Sequence, residues 1–299
     1  MRRIIATLAS VGTAALLAPA IAAPAYAQAQ ARPTDPVSAL AKQFKVKRGV
    51  HMTSATKTSI GGMPGLKSRT EGDLQFGPSG IVASDLTTRN DFGNLFQDDE
   101  DLQGLNQPMR TITINKTAYI SGGIFGDIIP SDKTWLRVPG ASSASPDSSQ
   151  FVNVFDARSL RAVLATTKAK GNGGTLDGTR TTVYRGSITL KQLAAASPAM
   201  KKQLTGLDAK SGKTMLNWKM WVGADQLVRR VTTAVTFTIK SKKMSFDMDL
   251  TGDTKFTKWG SKVSITAPPA SEVATSADID GSVPEVPTII TPGMMAAKS

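Results

Sequence analysis

In the last third of the chain, apolar and polar residues change places one by one. Leu216, Trp218, Met220 and Val222 take every second position, with Asn217 and Lys219 between them. Val231, Val235, Phe237 and Ile239 do the same, with Thr233 in their row, against Arg230, Thr232, Thr236 and Thr238. Met244, Phe246, Met248 and Leu250 form a third row, against Ser245, Asp247 and Asp249. Successive side chains of a strand point to opposite faces, so each row is one face. One apolar face and one wet face is the pattern of an antiparallel sheet. Met215 and Trp221 are the exceptions on the polar side.

Upstream the signals are shorter. "VSALAKQFK" predicts a short amphipathic helix. "RTEGDLQFG" and "GIVASDLTT" predict strands joined by a Gly-Pro-Ser-Gly turn. "FGNLFQDDEDLQGLNQP" reads as a loop excursion. "MRTITINKTAYISGG" predicts a hairpin around Asn115 and Lys116. "DKTWLRVPG" is a short strand ending at Pro139, and "ASSASPDSSQ" a loop. "DARSLRAVLATTKAK" predicts a helix capped by Asp156. Its Leu160, Val163, Leu164 and Thr167 recur at i, i+3, i+4 and i+7 as one stripe. Lys168 and Lys170 fall near its C-terminus, where cations suit the helix dipole. "GNGGTLDG" predicts the helix stop. A second helix, "TLKQLAAASPAMKKQLTGL", is interrupted by Pro198.

Strands then follow one another: "TVYRGSI", "MLNWKMWVGADQLVRRVTTAVTFTI" as two around a Gly-Ala-Asp turn, and "KMSFDMDLTGDTKF". Gly260 beside Trp259 predicts a tight turn into a last strand, "KVSITA", with Val263 and Ile265 inward. Pro268 and Pro269 cannot donate to a ladder and end it. The remaining low-complexity tail predicts disorder.

The apolar faces hold methionine and aromatics as well as valine and isoleucine. Methionine fills irregular space and adapts to varied ligands, although an ordinary core uses the same residue types. Two or three helices are few for so wide a sheet, which invites a sandwich or a hollow.

Composition adds a location. The chain has 299 residues, 40% hydrophobic and 20% charged, which suits one or two domains with a sizeable core. Arg2 and Arg3 precede an apolar run and small-x-small sites, the pattern of a secretory signal cut after Ala27 or, alternatively, after Ala31. The paired arginines hint at twin-arginine export. The expected organisation is a signal at 1–27, a linker at 28–36, one domain at 37–273 and a tail at 274–299. Cysteine is absent, so disulfides, thiol catalysis, thiolate metal sites and the usual lipoprotein anchor are excluded. The formal charge is +13, and losing Arg2 and Arg3 leaves +11. Such a cation attracts polyanions. Outside the cell these are wall polymers and acidic head groups rather than nucleic acid.

Catalytic chemistry is sparse. His51 is the single histidine, no Gly-x-Ser-x-Gly elbow occurs, and a zinc site is disfavoured. "KGNGGTLDG" follows a helix and precedes a strand, the reverse of a phosphate cradle. Asp98 to Asp101 do not match an EF-hand and read as a solvated loop. Asp247, Asp249 and Asp253 fall on a wet face. A glycosidase needs only two carboxylates in space, and no particular pair stands out. No catalytic residue, metal or cofactor is expected.

Several stretches, in order, carry a likeness: "AYISGG...DKTWLRVP", "LRAVLATTK", "GTRTTVYRGSITLKQL", "WKMWVGADQLVRRVTT" and "FTKWGSKVSITAPPASEV". The most distinctive are the turn from Trp221 to Arg230 and the closing run from Trp259. From about Val37 to Val273 the chain resembles the LppX/LprG family of mycobacterial and streptomycete lipoproteins, relatives in fold of the LolA and LolB carriers. The resemblance implies an α+β fold: a strongly bent antiparallel sheet, half a barrel, with a few helices over its concave side and an apolar cavity between. It implies binding or carriage of lipids and lipoglycans in the cell envelope, without catalytic residues. Family members begin with a lipidated cysteine, which this chain lacks, so a released or wall-held form is expected.

The resulting expectation is an exported, non-enzymatic lipid carrier. Acyl chains would lie against Trp218, Met220, Val235, Phe237, Phe246 and Met248, with Leu160, Val163 and Leu164 closing the cavity. The alternative is a cationic surface protein with a filled core that binds anionic wall polymers.

Overall fold

The computed structural model describes residues 35–93, 104–141, 151–203, 211–240 and 245–279. The expected signal, most of the linker, the acids Asp98 to Asp101, most of the loop "ASSASPDSSQ", Met244 and the tail from residue 280 lie outside these residues.

Twelve strands form one sheet. They are β1 Arg48–Ile60, β2 Met63–Gly77, β3 Gly80–Asp91, β4 Met109–Ile114, β5 Thr117–Gly122, β6 Trp135–Pro139, β7 Thr167–Leu176, β8 Thr179–Thr189, β9 Met215–Gly223, β10 Val228–Lys240, β11 Ser245–Lys262 and β12 Val273–Ala274. Their order is β12-β6-β5-β4-β3-β2-β1-β11-β10-β9-β8-β7. Every neighbouring pair is antiparallel except β12 with β6. The sheet is curved and does not close.

Among the described residues four short α-helices accompany it: α1 Pro36–Gln43, α2 Ala157–Ala165, α3 Leu190–Ala196 and α4 Pro198–Gln203. None exceeds nine residues. The fold is therefore more β than the expected α+β. Helices this short do not persist in water without packing, so their apolar faces and caps hold them. Asp35 accepts from Val37 N and Ser38 N at 2.9 and 3.0 Å. Asp156 accepts from Arg158 N and Ser159 N at 2.7 and 3.1 Å. Thr189 and Gln192 form a reciprocal capping box. Pro198 separates α3 from α4, as its missing N–H requires.

The predicted hairpin at Asn115 and Lys116 is present. Both residues have positive φ, 48° and 65°, the geometry that matches strand twist in a two-residue turn. The alternating rows at Leu216 to Val222, Val231 to Phe237 and Phe246 to Leu250 fall on β9, β10 and β11 as read.

Three expectations change. First, α2 ends at Ala165 and does not reach Lys168 or Lys170. Thr166 Oγ1 donates to the Val163 carbonyl at 2.8 Å, and Thr167 Oγ1 to that of Leu164 at 2.6 Å. The stretch from Thr167 is edge strand β7, glycines included, because pairing with β8 satisfies its backbone. Lysines on an edge also resist pairing with another chain.

Second, no hairpin forms at Gly260. β11 runs on to Lys262. Lys258 and Gly260 have φ of 55° and 74°, and the β1 register shifts between Gly49 and His51 opposite them. This irregularity inserts two extra residues opposite Val50, and Trp259 lies on the inward face against Phe256, their ring centres 6.1 Å apart.

Third, "KVSITA" pairs in no strand beyond Lys262. Val263 N donates to the Lys47 carbonyl at 3.2 Å, and Ile265 N to Gln75 Oε1 at 2.7 Å. Past the prolines, Val273 and Ala274 add to β6. Ala274 and Ile279 are buried, so the packed chain extends beyond Val273.

Candidate ligand-binding face

β1 lies at the centre of the inner face, between β2 and β11. Val50 and Met52 of β1, Leu74 and Phe76 of β2, and Phe256 of β11 are fully buried. Five rings close this end. Phe76 lies 5.5 Å from Phe44, 6.2 Å from Phe155 and 5.9 Å from Trp259. Phe155 meets Phe256 edge-on at 5.3 Å. Trp259 donates its indole N–H to the Val228 carbonyl at 2.9 Å.

Towards β9 the face is aliphatic and sulfur-bearing. Leu216, Trp218, Met220 and Val222 stand beside Val231, Val235 and Phe237 of β10, then Met248 and Leu250 of β11. Gly186 of β8 pairs with Trp218, and its missing side chain makes room for the indole. A Cβ there would stand 2.6 Å from Trp218 Cζ2 and would strike the Thr166 carbonyl oxygen. The indole N–H donates to Thr166 Oγ1 at 3.1 Å. Trp218 is thus tied to the end of α2, and Leu160 and Val163 of that helix join the same cluster. Leu190 and Leu193 of α3 and Met200 of α4 extend the cover.

A polar band crosses this face. Thr88, Thr70, Ser54 and Thr254 align across β3, β2, β1 and β11. Thr70 Oγ1 and Thr88 Oγ1 are 3.0 Å apart, and Ser54 Oγ and Thr254 Oγ1 2.8 Å. The adjacent row is Asn90, Ser68, Thr56, Gly252 and Thr233. The first row is largely buried, whereas the second is half-buried throughout. From Val50 to Ile60 of β1, and at the positions paired with them across β3, β2, β11, β10 and β9, the inward face holds no charged residue.

Charged residues lie on the opposite face, and several are paired. Arg230 makes a two-pronged bond to Asp253 at 2.8 and 2.5 Å and covers Trp221, 4.9 Å from its ring centre. Arg110 does the same with Asp85 at 2.9 and 2.7 Å. Each carboxylate holds its arginine above the ordinary guanidinium value, chiefly through those hydrogen bonds. Asp249 accepts from Thr236 Oγ1 at 2.6 Å, and Asp247 from Thr238 Oγ1 at 2.7 Å. His51 Nδ1 lies 2.8 Å from Asp73 Oδ1. In the turn after β9, Asp225 accepts from Leu227 N and from Arg229 Nη2 at 3.1 and 2.7 Å. Two carboxylates, Asp225 and Asp177, neutralise the buried Arg229.

Of the nine residues predicted to line a cavity, Trp218, Met220, Val235, Phe237, Met248, Leu160 and Val163 are buried in one cluster. Leu164 packs on its margin. Phe246 lies on the same face of β11, paired with Ile239 and half-buried. The sequence reading missed the inner hydroxyls and the five-ring cluster. Regular threonines on β1 were a signal for the first, since β-branched residues favour strands. The bulge that turns Trp259 inward left no such signal.

No family model and no curated protein matches this chain, so the LppX/LprG resemblance rests on the quoted stretches. Among solved structures, a DUF1329 family protein from Desulfovibrio piger is 13% identical at a TM-score of 0.26, covering 78% of this chain and 96% of its own. A LolA superfamily protein from Nitrosomonas europaea is 7% identical at a TM-score of 0.21, covering 74% of this chain and 91% of its own. The sheet order and the inner face stand without them.

Proposed function

We propose that this chain is an exported, non-enzymatic carrier that holds acyl chains between the inner face of its sheet and α2 to α4. The observation behind this reading is the inner face itself. It is uncharged across six strands, rich in methionine and aromatics, and covered by separate short helices rather than by a second sheet. Short helices can part from a sheet at modest cost, and methionine repacks around irregular guests. A buried methylene contributes about 0.8 kcal/mol, so one long chain offsets the opening.

Native mass spectrometry of protein from its own host, followed by lipid extraction, tests the reading. It expects a mass excess that extraction removes and identifies as lipid. Protein that carries no lipid and takes up no added acyl probe sinks it.

The alternative, a cationic envelope protein with a filled core, also has a specific observation behind it. Met220, Met248 and Val163 have no exposed surface, so their protein neighbours already fill the space around them. That reading expects binding to anionic wall polymer that weakens steeply with salt, and no uptake of apolar probes.

A further inference from the structure

A notch opens in the floor of the inner face at Gly252. Glycine weakens a strand interior and marks places where something else comes close. Gly252 stands mid-strand in β11, between Thr56 of β1 and Thr233 of β10. A Cβ built there would meet Thr233 Oγ1 at 2.8 Å and, among the described residues, nothing else within 4 Å. The Ser54–Thr254 hydroxyl pair borders the notch on one side, and Leu250 and Val235 lie beyond it on the other. Gly252, Thr56 and Thr233 are all half-buried, so the notch stays reachable while its apolar surroundings are packed.

From this geometry we infer that the notch is a binding site for an uncharged hydrogen-bonding group of an amphiphile, an ester or a hydroxyl, seated between Thr56 and Thr233. The inference rests on the acyl-chain reading above and specifies its polar end. A hydroxyl donates and accepts, so two threonines suit ester carbonyls and alcohols. An ionised carboxylate fits poorly, because the inner face offers it no cation and burying an unpaired charge is costly. The ligand class is therefore a neutral acylglycerol or long-chain alcohol rather than a free fatty acid.

The test uses the full, delipidated chain loaded with the uncharged probe N-phenyl-1-naphthylamine, displaced in turn by monooleoylglycerol, oleyl alcohol and oleate at pH 8. Monooleoylglycerol and oleyl alcohol should displace the probe at about a tenth of the oleate concentration. The double variant Thr56→Val with Thr233→Val should raise the half-displacement by monooleoylglycerol about tenfold. The variant should still bind the probe, and its displacement is read against its own probe affinity. Gly252→Val, which fills the notch, should act in the same direction.

Oleate displacing as well as the neutral ligands overturns the inference, as do unchanged displacement curves in both variants. In either case the acyl-chain reading survives, because the probe still binds. Failure of the probe to bind overturns both. A variant that loses its melting transition is replaced by Thr233→Ser, which keeps the hydroxyl and must retain wild-type displacement.

Discussion

Gly186 and Trp218 show how a single position sets the inner face. The indole occupies the place where any other residue would put its Cβ. Gly186→Ala therefore forces the ring or the Thr166 carbonyl to move. We expect a loss of about 1–3 kcal/mol, read from urea unfolding, with weaker packing of α2. The ring row of β9 was legible because its four apolar residues alternate without a break. Trp259 was read only as a neighbour of a turn, with no face assigned to it. A turn at Gly260 was expected, yet positive φ at Lys258 turns the ring inward within a continuous strand. The hydroxyls of Ser54, Thr56 and Thr58 were read as nothing in particular. Serine and threonine on a strand look solvated unless the opposing strand is known, and here that strand lies about 200 residues away in sequence.

At the scale of elements, caps and pairings matter more than propensity. Asp156→Ala and Thr189→Ala each remove the cap of a covering helix and should cost about 1 kcal/mol, measured by thermal unfolding. If α2 and α3 form the lid over bound chains, both variants should also release an acyl probe faster in stopped-flow exchange. Unchanged release with the expected stability loss would separate the lid from the carrier role. The turn that follows β12 should respond to pH. The Asp278 carboxyl is held below its ordinary value, first by the Thr275 N–H and then by its hydroxyl, at 2.8 and 2.7 Å. A lowered folded value means that the turn is supported above the ordinary carboxylate value and loses that support as the carboxyl protonates. The Thr275 amide resonance should therefore shift on acidification below about pH 4, and Asp278→Asn should abolish the shift. The hairpin at Asn115 and Lys116 was legible, whereas those at Gly61–Gly62 and Asp177–Gly178, also of positive φ, were not. β1 was not, because its inner positions from Ser54 to Thr58 are polar and resemble those of its outer face. β7 was not, because glycines and lysines at an edge read as loop.

Across the whole molecule, one open sheet of twelve strands carries an apolar interior crossed by a hydroxyl band. Its charges are set on the other face, several of them in ion pairs. That separation was half legible. The alternating rows of β9 to β11 announced it, while the sheet's extent depended on pairings that no local pattern encodes. The apolar face alone fits either a filled core or a collapsed lipid site. A carrier must expose that face to a guest, and a filled core never does. The most direct measurement is therefore photolabelling with a diazirine-bearing acylglycerol, followed by peptide mapping. The carrier account predicts adducts on the inward residues of β9 to β11 and on α2, competed away by unlabelled lipid. Adducts confined to the outer, charged face, or none at saturating probe, would contradict it.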